Sequence, residues 1–265
     1  MNYEALCQEV IVLTKEVGQF MKDENAKIRT GDVEAKEHFN SLVTYVDKTV
    51  EKRVIARLAE LLPESGFIAE EGTSDKIGEK YNWIIDPLDG TTNFIHGLPT
   101  YCVSIALQEG DDIVLGVIYE PNIQECFYAW KGSKAYMNGK EISVSKAARM
   151  EDSLLATGFP YWDFNRMDAY LRILKDFTAR TRGIRRIGSA AVDLAYVACG
   201  RFEAFYEYSL KPWDIAAGAF IIEQAGGVVT DFKGVRDLVS GKEILAANPH
   251  IHPELQHKIE SEFYK

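Results

Sequence analysis

Cysteine, surplus positive charge and long apolar runs are all scarce in this sequence of 265 residues. The four cysteines, Cys7, Cys102, Cys126 and Cys199, are scattered and form no C-x-x-C pair, which excludes a thioredoxin-like motif and a zinc knuckle. We therefore expect buried, reduced thiols. The net charge of −10 argues against a broad nucleic-acid-binding face, because such a face needs a surplus of lysine and arginine.

The sequence also lacks long apolar runs and nucleotide-binding loops. The longest apolar runs, such as residues 216–222, are too short to cross a bilayer. The sequence starts M-N-Y-E-A-L-C-Q-E, without the basic start and apolar stretch of a secretory signal, so we expect a cytoplasmic location. It contains no G-x-G-x-x-G or G-K-[ST] loop, and nucleotide-driven chemistry therefore has no support.

The sequence is otherwise rich in regular periodicity. Apolar residues at three- and four-residue steps predict amphipathic helices over residues 3–21 and 43–62. Residues 102–107 and 113–119 flank E-G-D-D and predict a hairpin, and two more short strands are expected around the turn M-N-G-K. The second half alternates strand-like and helix-like segments, which indicates helices layered on a sheet.

These patterns predict an α+β first half, residues 1–148, and an α/β second half, residues 149–265. With 46% hydrophobic residues, the chain is long and apolar enough to bury a sizeable core. No repeat, low-complexity tract or flexible linker separates the halves, so we expect them to pack tightly as one unit.

Four carboxylates stand at the end of an apolar strand or the start of a helix: Glu70, Asp86, Asp89 and Asp214. Asp86 follows W-I-I, and Pro87 then breaks the β-ladder. Asp86 and Asp89 can therefore face one pocket, with the carbonyl of Leu88 exposed between them. Clustered carboxylates raise one another's pKa unless a cation compensates, and an oxygen-rich set without histidine or cysteine suits Mg²⁺ or Mn²⁺ rather than zinc.

A lone D-P-x-D is more often a capped surface turn than a metal site. Here the turn continues as G-T-T-N, and Gly90, Thr91 and Thr92 can open a short helix whose free N–H groups face an anion. Metals beside an anion-binding helix start are the parts that phosphoryl transfer needs. The segment therefore predicts metal-assisted chemistry on a phosphate.

At these residues the sequence resembles a known family. W-I-I-D-P-L-D-G-T-T-N-F, residues 83–94, resembles the first signature of the inositol monophosphatase family, K-P-W-D-I-A-A-G-A, residues 211–219, resembles the second, and E-E-G, residues 70–72, is similar to its glutamate motif. The order and spacing match from Lys36 to Asn248. The resemblance implies a sandwich of alternating α-β-α-β-α layers as in sugar phosphatases, magnesium dependence, inhibition by lithium and a homodimer.

The resemblance also implies a ligand set for two or three Mg²⁺ ions, with Mn²⁺ as a possible substitute. Glu70, Asp86 and the carbonyl of Leu88 would bind the first ion. Asp86, Asp89 and Asp214 would bind the second, so that Asp86 bridges the two. A third, looser ion would lean on Glu70.

The implied reaction is hydrolysis by a metal-activated water, without a phospho-enzyme. Glu70 and the Thr91 hydroxyl would orient this water for in-line attack on phosphorus. Asp47, in V-T-Y-V-D, matches a family aspartate that orients the threonine, although from the sequence alone it reads as a surface helix charge. Lys36 matches a family lysine on a mobile loop. Ser41 stands where the family often has an acidic residue, a departure that bears on the loop and on the third metal.

The substrate side is implied by two further matches. G-S-A-A, residues 188–191, is similar to a family helix start that contacts sugar hydroxyls, and its serine is also an ordinary helix N-cap. Glu207 matches a family glutamate that hydrogen-bonds inositol hydroxyls, whereas as a bare residue it reads as an exposed strand charge. The complete candidate set for substrate contact is Asp89, Gly90, Thr91, Thr92, Gly188, Ser189, Ala190, Glu207 and Asp214.

The leading hypothesis is hydrolysis of myo-inositol 1-phosphate to inositol and phosphate. The second keeps the chemistry and changes the substrate to fructose 1,6-bisphosphate, NADP or 3′-phosphoadenosine 5′-phosphate. The third is of a different class, a bacterial protein that contacts RNA polymerase or the RNA-processing machinery, as some family members do. A metal-dependent phosphatase without a membrane or nucleic-acid partner remains the expectation.

Two clusters lie outside these motifs. The segment A-R-T-R-G-I-R-R contains four arginines: Arg180, Arg182, Arg185 and Arg186. They support the third hypothesis, but a solvated strand edge or a subunit contact explains them equally well. Three histidines near the C-terminus form H-x-H-x4-H, for which we expect a surface role rather than a metal site; they are His250, His252 and His257.

Overall fold

The structure, a computed structural model, describes residues 1–27, 33–35, 42–161, 163–239 and 242–265. Within these ranges the α-helices are α1 Tyr3–Asn25, α2 Tyr45–Leu61, α3 Thr91–Ile95, α4 Met167–Arg180, α5 Ala190–Ala198, α6 Pro212–Gln224 and α7 His252–Phe263. The strands are β1 Val33–Ala35, β2 Leu42–Thr44, β3 Gly66–Ala69, β4 Tyr81–Asp89, β5 Cys102–Glu109, β6 Asp112–Glu120, β7 Glu125–Trp130, β8 Ala135–Met137, β9 Lys140–Ile142, β10 Leu154–Thr157, β11 Gly183–Arg185, β12 Ala204–Tyr208, β13 Val228–Thr230 and β14 Glu243–Ala247.

The two N-terminal helices form the first layer, and both predictions for them are confirmed. The Asn2 side chain caps α1 by accepting the N–H of Ala5. A capping box between Thr44 and Asp47 starts α2. Their apolar stripes, which in α2 consist of Val46, Val50, Val54 and Leu58, are buried against β4 and β6.

The second layer is a seven-stranded sheet in the order β3-β4-β5-β6-β7-β8-β9. β3 and β4 are parallel, and every later neighbour is antiparallel. The predicted hairpin is β5–β6, and β8–β9 is the pair expected around M-N-G-K. The parallel pair at the edge matters for function, because it delivers two strand ends to one place.

A five-stranded sheet in the order β11-β10-β12-β14-β13 carries the second half of the chain. Helices α5 and α6 lie between the two sheets and contact both. Helices α4 and α7 cover the other face of the five-stranded sheet. The layers therefore alternate as α-β-α-β-α, which confirms the predicted fold class, while the division at residue 148 stays a prediction.

Small residues let α6 approach its neighbours closely. A Cβ atom on Gly116 of β6 would lie 2.8 Å from the Ala217 carbonyl oxygen, and one on Gly218 would lie 2.5 Å from the Leu194 Cβ atom. The run A-A-G-A in α6 is thus a packing requirement. It places the start of this helix, with Asp214, beside the end of β4.

Two minor expectations can be compared directly with the fold. All four cysteines are free; Cys7, Cys102 and Cys126 are buried as predicted, but Cys199 at the end of α5 is only partly buried. Among the helices of the described residues, none is both long and apolar enough to span a bilayer.

Candidate active site

Two parallel strands bring the first pair of carboxylates together. Ala69 of β3 lies opposite Ile85 of β4, so the residues that follow, Glu70 and Asp86, are neighbours at one edge of the sheet. The backbone N–H of Glu70 donates to the carbonyl of Ile85 at 3.2 Å. Besides burial, the charge of Glu70 raises the pKa of Asp86, because two neighbouring carboxylates disfavour each other's ionisation.

The irregular end of β4 sets the next pair. The ladder to β5 shifts register between Asp86 and Asp89, where Pro87 supplies no N–H. Asp86 Oδ1 accepts the N–H of Leu88 at 3.0 Å. The carbonyl oxygen of Leu88, expected to be exposed, lies 3.0 Å from the Thr91 hydroxyl oxygen, whose single proton can go either to this carbonyl or to Asp47 Oδ1 at 3.1 Å.

Helix α5 is capped from the other half of the molecule. Asp89 Oδ2 accepts the Ser189 hydroxyl at 2.7 Å and the N–H of Ala191 at 2.6 Å. Ser189 is the N-cap residue of α5, as the sequence predicts. The candidate metal ligand Asp89 and the candidate substrate segment Gly188–Ala190 are therefore in direct contact, and Asp89 links β4 to α5.

Two more helix starts face the same region. α3 begins after Gly90, which has φ +93°, and a Cβ atom there would lie 3.0 Å from the Thr100 carbonyl oxygen. This position therefore requires glycine. Thr92 is the second residue of α3. Asp214 is the third residue of α6, where it accepts the N–H of Lys211 at 2.7 Å.

Asp47 is joined to the site through Thr91. The Thr91 hydroxyl lies 3.1 Å from Asp47 Oδ1, while Asp47 Oδ2 accepts the N–H and the hydroxyl of Thr44 at 2.8 and 2.6 Å. Asp47 is 1% exposed, so its interpretation as a surface helix charge was wrong. Burial raises its pKa, and the bonds from Thr44 oppose that shift. Asp47 is arranged to accept the proton of the Thr91 hydroxyl.

The pKa values at the site report uncompensated negative charge. Burial first, and then the charges of Glu70, Asp89 and Asp214, raise the pKa of Asp86 well above its ordinary value. Burial raises the pKa of Asp89 to about 6, although the bonds from Ser189 and Ala191 oppose it. Burial, Asp89 and Glu70 raise the pKa of Asp214. Such a set favours a cation over two or more bare charges.

The donor chemistry fits hard divalent cations. Carboxylates and a carbonyl are the ligands that magnesium and manganese prefer. In the part of the chain that the structure describes, no three His, Cys, Asp or Glu side chains stand grouped as a ready metal cluster. Asp86, Asp89 and Asp214 point oxygens at backbone N–H groups instead, so a cation competes with these hydrogen bonds or turns the side chains.

Glu207 of β12 lies in the same region from the substrate side. It is 5% exposed, so its interpretation as an exposed strand charge was wrong. Burial and the charges of Asp214 and Asp89 raise its pKa, and Arg186 lowers it. A Cβ atom on Gly158 would lie 1.9 Å from Glu207 Oε2, so only glycine leaves room for this carboxylate.

Sequence reasoning missed two buried acids near the site. Asp193 of α5 is 2% exposed, and its Oδ1 has no hydrogen-bond partner in the described part of the chain. Glu51 of α2 is fully buried. A signal existed for both: Asp193 is a single charge in the apolar run A-A-V-D-L-A, and Glu51 lies four residues after Asp47 beside the buried stripe of α2.

The structure divides the arginine cluster. Arg180 pairs with Asp176 at 3.2 Å and Arg182 with Asp152 at 2.9 Å on the surface. Arg185 is exposed. Arg186 alone of the four acts on the site, by lowering the pKa values of Glu207 and Asp193 and by donating to the Tyr161 hydroxyl at 3.1 Å.

The histidine prediction needs one correction. His250 and His257 are exposed as expected, but His252 is 7% exposed, and its Nε2 lies 3.0 Å from the Thr230 hydroxyl. Burial lowers its pKa. It belongs to the core because it faces β13 from the first turn of α7. Lys36 and Ser41, named from the sequence, lie outside the described residues.

Comparison with known proteins identifies the family. The sequence profile of the inositol monophosphatase family matches residues 3–263. The chain belongs to the inositol monophosphatase family. This family member is 45% identical over 214 residues to a putative Nus factor SuhB of Neisseria meningitidis serogroup B. The match covers 80% of this chain and 82% of that protein.

Two further relatives are similar over most of their length. A fructose-1,6-bisphosphatase/inositol-1-monophosphatase of Thermotoga maritima is 40% identical to this inositol monophosphatase family member over 227 residues, with 86% of each protein covered. The crystal structure of the extragenic suppressor protein SuhB of Bartonella henselae matches with a TM-score of 0.89 at 38% identity, covering 97% of this chain and 98% of that one. The chain is therefore a metal-dependent phosphoric monoester hydrolase of the inositol monophosphatase family.

Proposed function

We propose that the protein hydrolyses a small polyol phosphomonoester, with myo-inositol 1-phosphate as its preferred substrate and inositol and phosphate as products. The observation that carries this proposal is the contact of Asp89 with the start of α5. Asp89 is a candidate metal ligand, it directly precedes the start of α3, and it contacts the substrate-side segment at the start of α5. Fructose 1,6-bisphosphate, NADP and 3′-phosphoadenosine 5′-phosphate are alternative substrates of the same chemistry.

The metals are two or three Mg²⁺ ions, for which Mn²⁺ can substitute. Glu70, Asp86 and the carbonyl of Leu88 would hold one ion, and Asp86, Asp89 and Asp214 would hold another. Glu70 would contribute to binding a third ion. When bound, the ions supply a water of lowered pKa and stabilise the negative charge that develops on the leaving oxygen.

Thr91 and Glu70 orient the attacking water, and Asp47 fixes the direction of the Thr91 hydroxyl. The Thr91 hydroxyl donates its single proton to Asp47 Oδ1, 3.1 Å away, and keeps its lone pairs for the water. Glu70 orients the same water from the end of β3. Because Asp47 is buried and held by two bonds from Thr44, the Thr91 hydroxyl has a fixed direction.

The two ends of the substrate meet different helix starts. The N–H groups at Gly90, Thr91 and Thr92 bind the phosphate. The sugar hydroxyls meet the start of α5 and the carboxylates behind it; these contacts are Gly188, Ser189, Ala190, Glu207 and Asp214. A carboxylate accepts from two neighbouring hydroxyls, which favours a polyol over a simple alkyl phosphate.

Inhibition by lithium, a homodimer and a cytoplasmic location complete the proposal. Lithium is a small hard cation, and it competes for the same carboxylate oxygens as magnesium. The helix starts of the site come from both halves of one chain, so the proposed chemistry uses residues of a single protomer.

A panel of phosphomonoesters tests the proposal. With Mg²⁺ present, kcat/KM is expected to be highest for inositol 1-phosphate, and phosphate release should disappear with chelator. The Asp89→Asn variant should lower turnover by about 10³-fold, which equals about 4 kcal/mol of barrier. Release of phosphate from none of the esters by the wild type, or a loss below about tenfold in the variant, would contradict it.

A second candidate function is contact with RNA polymerase or the RNA-processing machinery. The relative of 45% identity is named a putative Nus factor, and the exposed Arg185 offers a positive surface next to the substrate side. Co-purification with RNA polymerase subunits, retained in Asp89→Asn and lost in Arg185→Glu, would support it. Retention in both variants would remove the arginine from this role.

A further inference from the structure

Glu51 is a buried carboxylate that the proposed reaction leaves unused. It lies on α2 with no exposed surface. Its Oε2 accepts the N–H of Glu71 at 2.7 Å, and its Oε1 accepts the N–H of Thr73 at 2.9 Å. Both donors belong to the turn that follows β3 and begins with Glu70. Hydrogen bonds from two backbone amides to one carboxylate are charge-assisted and stronger than neutral ones.

The turn at residues 70–73 is also held by backbone hydrogen bonds, among them one from the N–H of Gly72 to the carbonyl of Ala69 at 3.4 Å. The N–H of Glu70 is tied to the carbonyl of Ile85 on β4. Beyond it the chain reverses through Gly72, which has φ +64° and no neighbouring heavy atom within 4 Å of a Cβ position. Gly72 and Thr73 are exposed, and packing therefore restrains them little. The two bonds to Glu51 tie the turn to α2.

Asp47 and Glu51 are four residues apart on α2 and therefore lie on one face, about 6 Å apart along the helix axis. Asp47 receives the Thr91 hydroxyl, and Glu51 receives the turn that carries Glu70. Both carboxylates are buried. One rigid helix face thus holds the two residues assigned above to the attacking water.

We propose that Glu51 is a positioning residue for Glu70, and that α2 sets the distance between Glu70 and Thr91. This inference rests on the proposed function, because the position of Glu70 matters for chemistry only if Glu70 binds metal and orients water. The competing view is that Glu51 contributes only to the stability of the fold. The two views differ in what happens to magnesium binding.

Glu120 provides a matched control elsewhere in the chain. It is 1% exposed at the end of β6, and its carboxylate accepts the N–H groups of Asn122 and Ile123 at 3.1 and 2.7 Å. This turn joins β6 to β7 and carries none of the candidate site residues. Glu120→Gln therefore removes the same kind of bonds as Glu51→Gln. In each variant an amide NH₂ faces a backbone N–H where an oxygen accepted it.

The experiment measures Mg²⁺ binding to both variants by calorimetry, with the metal alone, together with the Mg²⁺ dependence of phosphate release. Glu51→Gln is expected to weaken Mg²⁺ affinity by about 10–100-fold, the usual cost of losing a residue that orients a metal ligand. Saturating Mg²⁺ should restore kcat to within about threefold of the wild type. Glu120→Gln should change Mg²⁺ affinity by less than about twofold, with a similar loss of Tm.

Mg²⁺ affinity in Glu51→Gln within about twofold of the wild type would overturn the proposal, as would an equal loss in both variants. If Glu51→Gln does not fold, Glu51→Asp replaces it, since the shorter side chain keeps the charge and withdraws the acceptor. A wild type that binds Mg²⁺ but releases no phosphate from any ester contradicts the proposed function, and the calorimetric comparison still decides the role of Glu51.

Discussion

Two groups of buried acids in this molecule meet opposite electrostatic surroundings. Glu262 of α7 is 8% exposed and receives three cations at 2.8 to 3.0 Å: Lys265, Arg172 and Lys258. Their hydrogen bonds lower its pKa to about 2. Glu243 of β14 is paired with Arg166 at 2.7 Å in the same corner. Each acid there has a positive partner from the chain itself.

In the candidate active site the shift runs the other way. Burial and mutual repulsion raise the pKa values of Asp86, Asp89, Glu207 and Asp214. Arg186 and Lys211 oppose the shift without reversing it. The acids between α4 and α7 are neutralised by neighbouring lysines and arginines. The acids of the candidate active site repel one another, and bound cations would relieve this repulsion. Perturbed acids of the second kind are typical of functional sites.

Asp86→Asn tests most directly whether the acids of the candidate active site repel one another. The amide oxygen can still accept the N–H of Leu88, while one charge leaves the repulsive set. We expect turnover to fall by about 10³-fold, or about 4 kcal/mol of barrier, because the variant loses the carboxylate that we propose two metals share. The Tm of the metal-free protein should rise by about 2–4 °C. Activity assays and calorimetry without metal measure the two effects, and a fall in Tm would contradict the stored repulsion.

Glu207→Gln, set beside Glu243→Gln, compares one acid of the candidate active site with one ion-paired acid on the neighbouring strand. The loss of a charged acceptor for sugar hydroxyls should lower kcat/KM for inositol 1-phosphate by about 10–100-fold. An ester without a polyol, such as p-nitrophenyl phosphate, should be much less affected. Glu243→Gln is the control, since β14 lies next to β12 and Glu243 pairs with Arg166. An equal loss with both esters would assign Glu207 a structural role only.

Magnesium should stabilise the protein more at higher pH. In the metal-free fold the pKa of Asp89 is raised from 3.8 to about 6, so the folded state holds the proton more tightly than the unfolded chain. Stability without metal therefore falls as pH rises from 3.8 to about 6. Mg²⁺ displaces protons, and the rise in Tm on adding it should be larger at pH 7.5 than at pH 5. A Tm shift independent of pH would contradict this.

Glu262→Gln should have the smallest effect and no effect on activity. Its carboxylate pKa falls from 4.5 to about 2 on folding, so its stabilising contribution is fully present above pH 4.5 and is lost as pH falls towards about 2. The variant should therefore differ from the wild type in Tm at neutral pH and converge with it in acid. Phosphate release should stay unchanged. A lower kcat in Glu262→Gln would show that the two groups of acids are not independent.

Periodicity carried most of the fold prediction, and it did so where one face of an element is buried. The apolar stripes of α1 and α2 were visible because each helix meets the core on one side, whereas β5 and β6 were visible as two apolar segments flanking E-G-D-D, although both faces of these strands are buried. The same rule fails for buried polar residues. His252 was expected at the surface, yet it faces β13, because the packing of α7 decides which polar side chain turns inwards.

The candidate site was predictable in part for a similar reason. Glu70, Asp86, Asp89 and Asp214 were found because each ends an apolar strand or opens a helix, and such positions are visible in a linear sequence. Glu51 and Asp193 were not found, because each has a helical neighbourhood in which a charge usually faces solvent.

The sequence by itself determined the chemistry of the donors: four carboxylates, a Gly-Thr-Thr helix start and the resemblance that names the reaction. The family resemblance implied that Asp47 reaches Thr91, and tertiary structure alone decided that Asp47 is buried, that Asp89 caps a helix from the opposite half, and that Glu207 is buried within the influence of the Asp214 charge. The physical reason is that burial and long-range hydrogen bonds depend on which surfaces meet. Residues 47 and 91, or 89 and 191, have no local pattern that connects them.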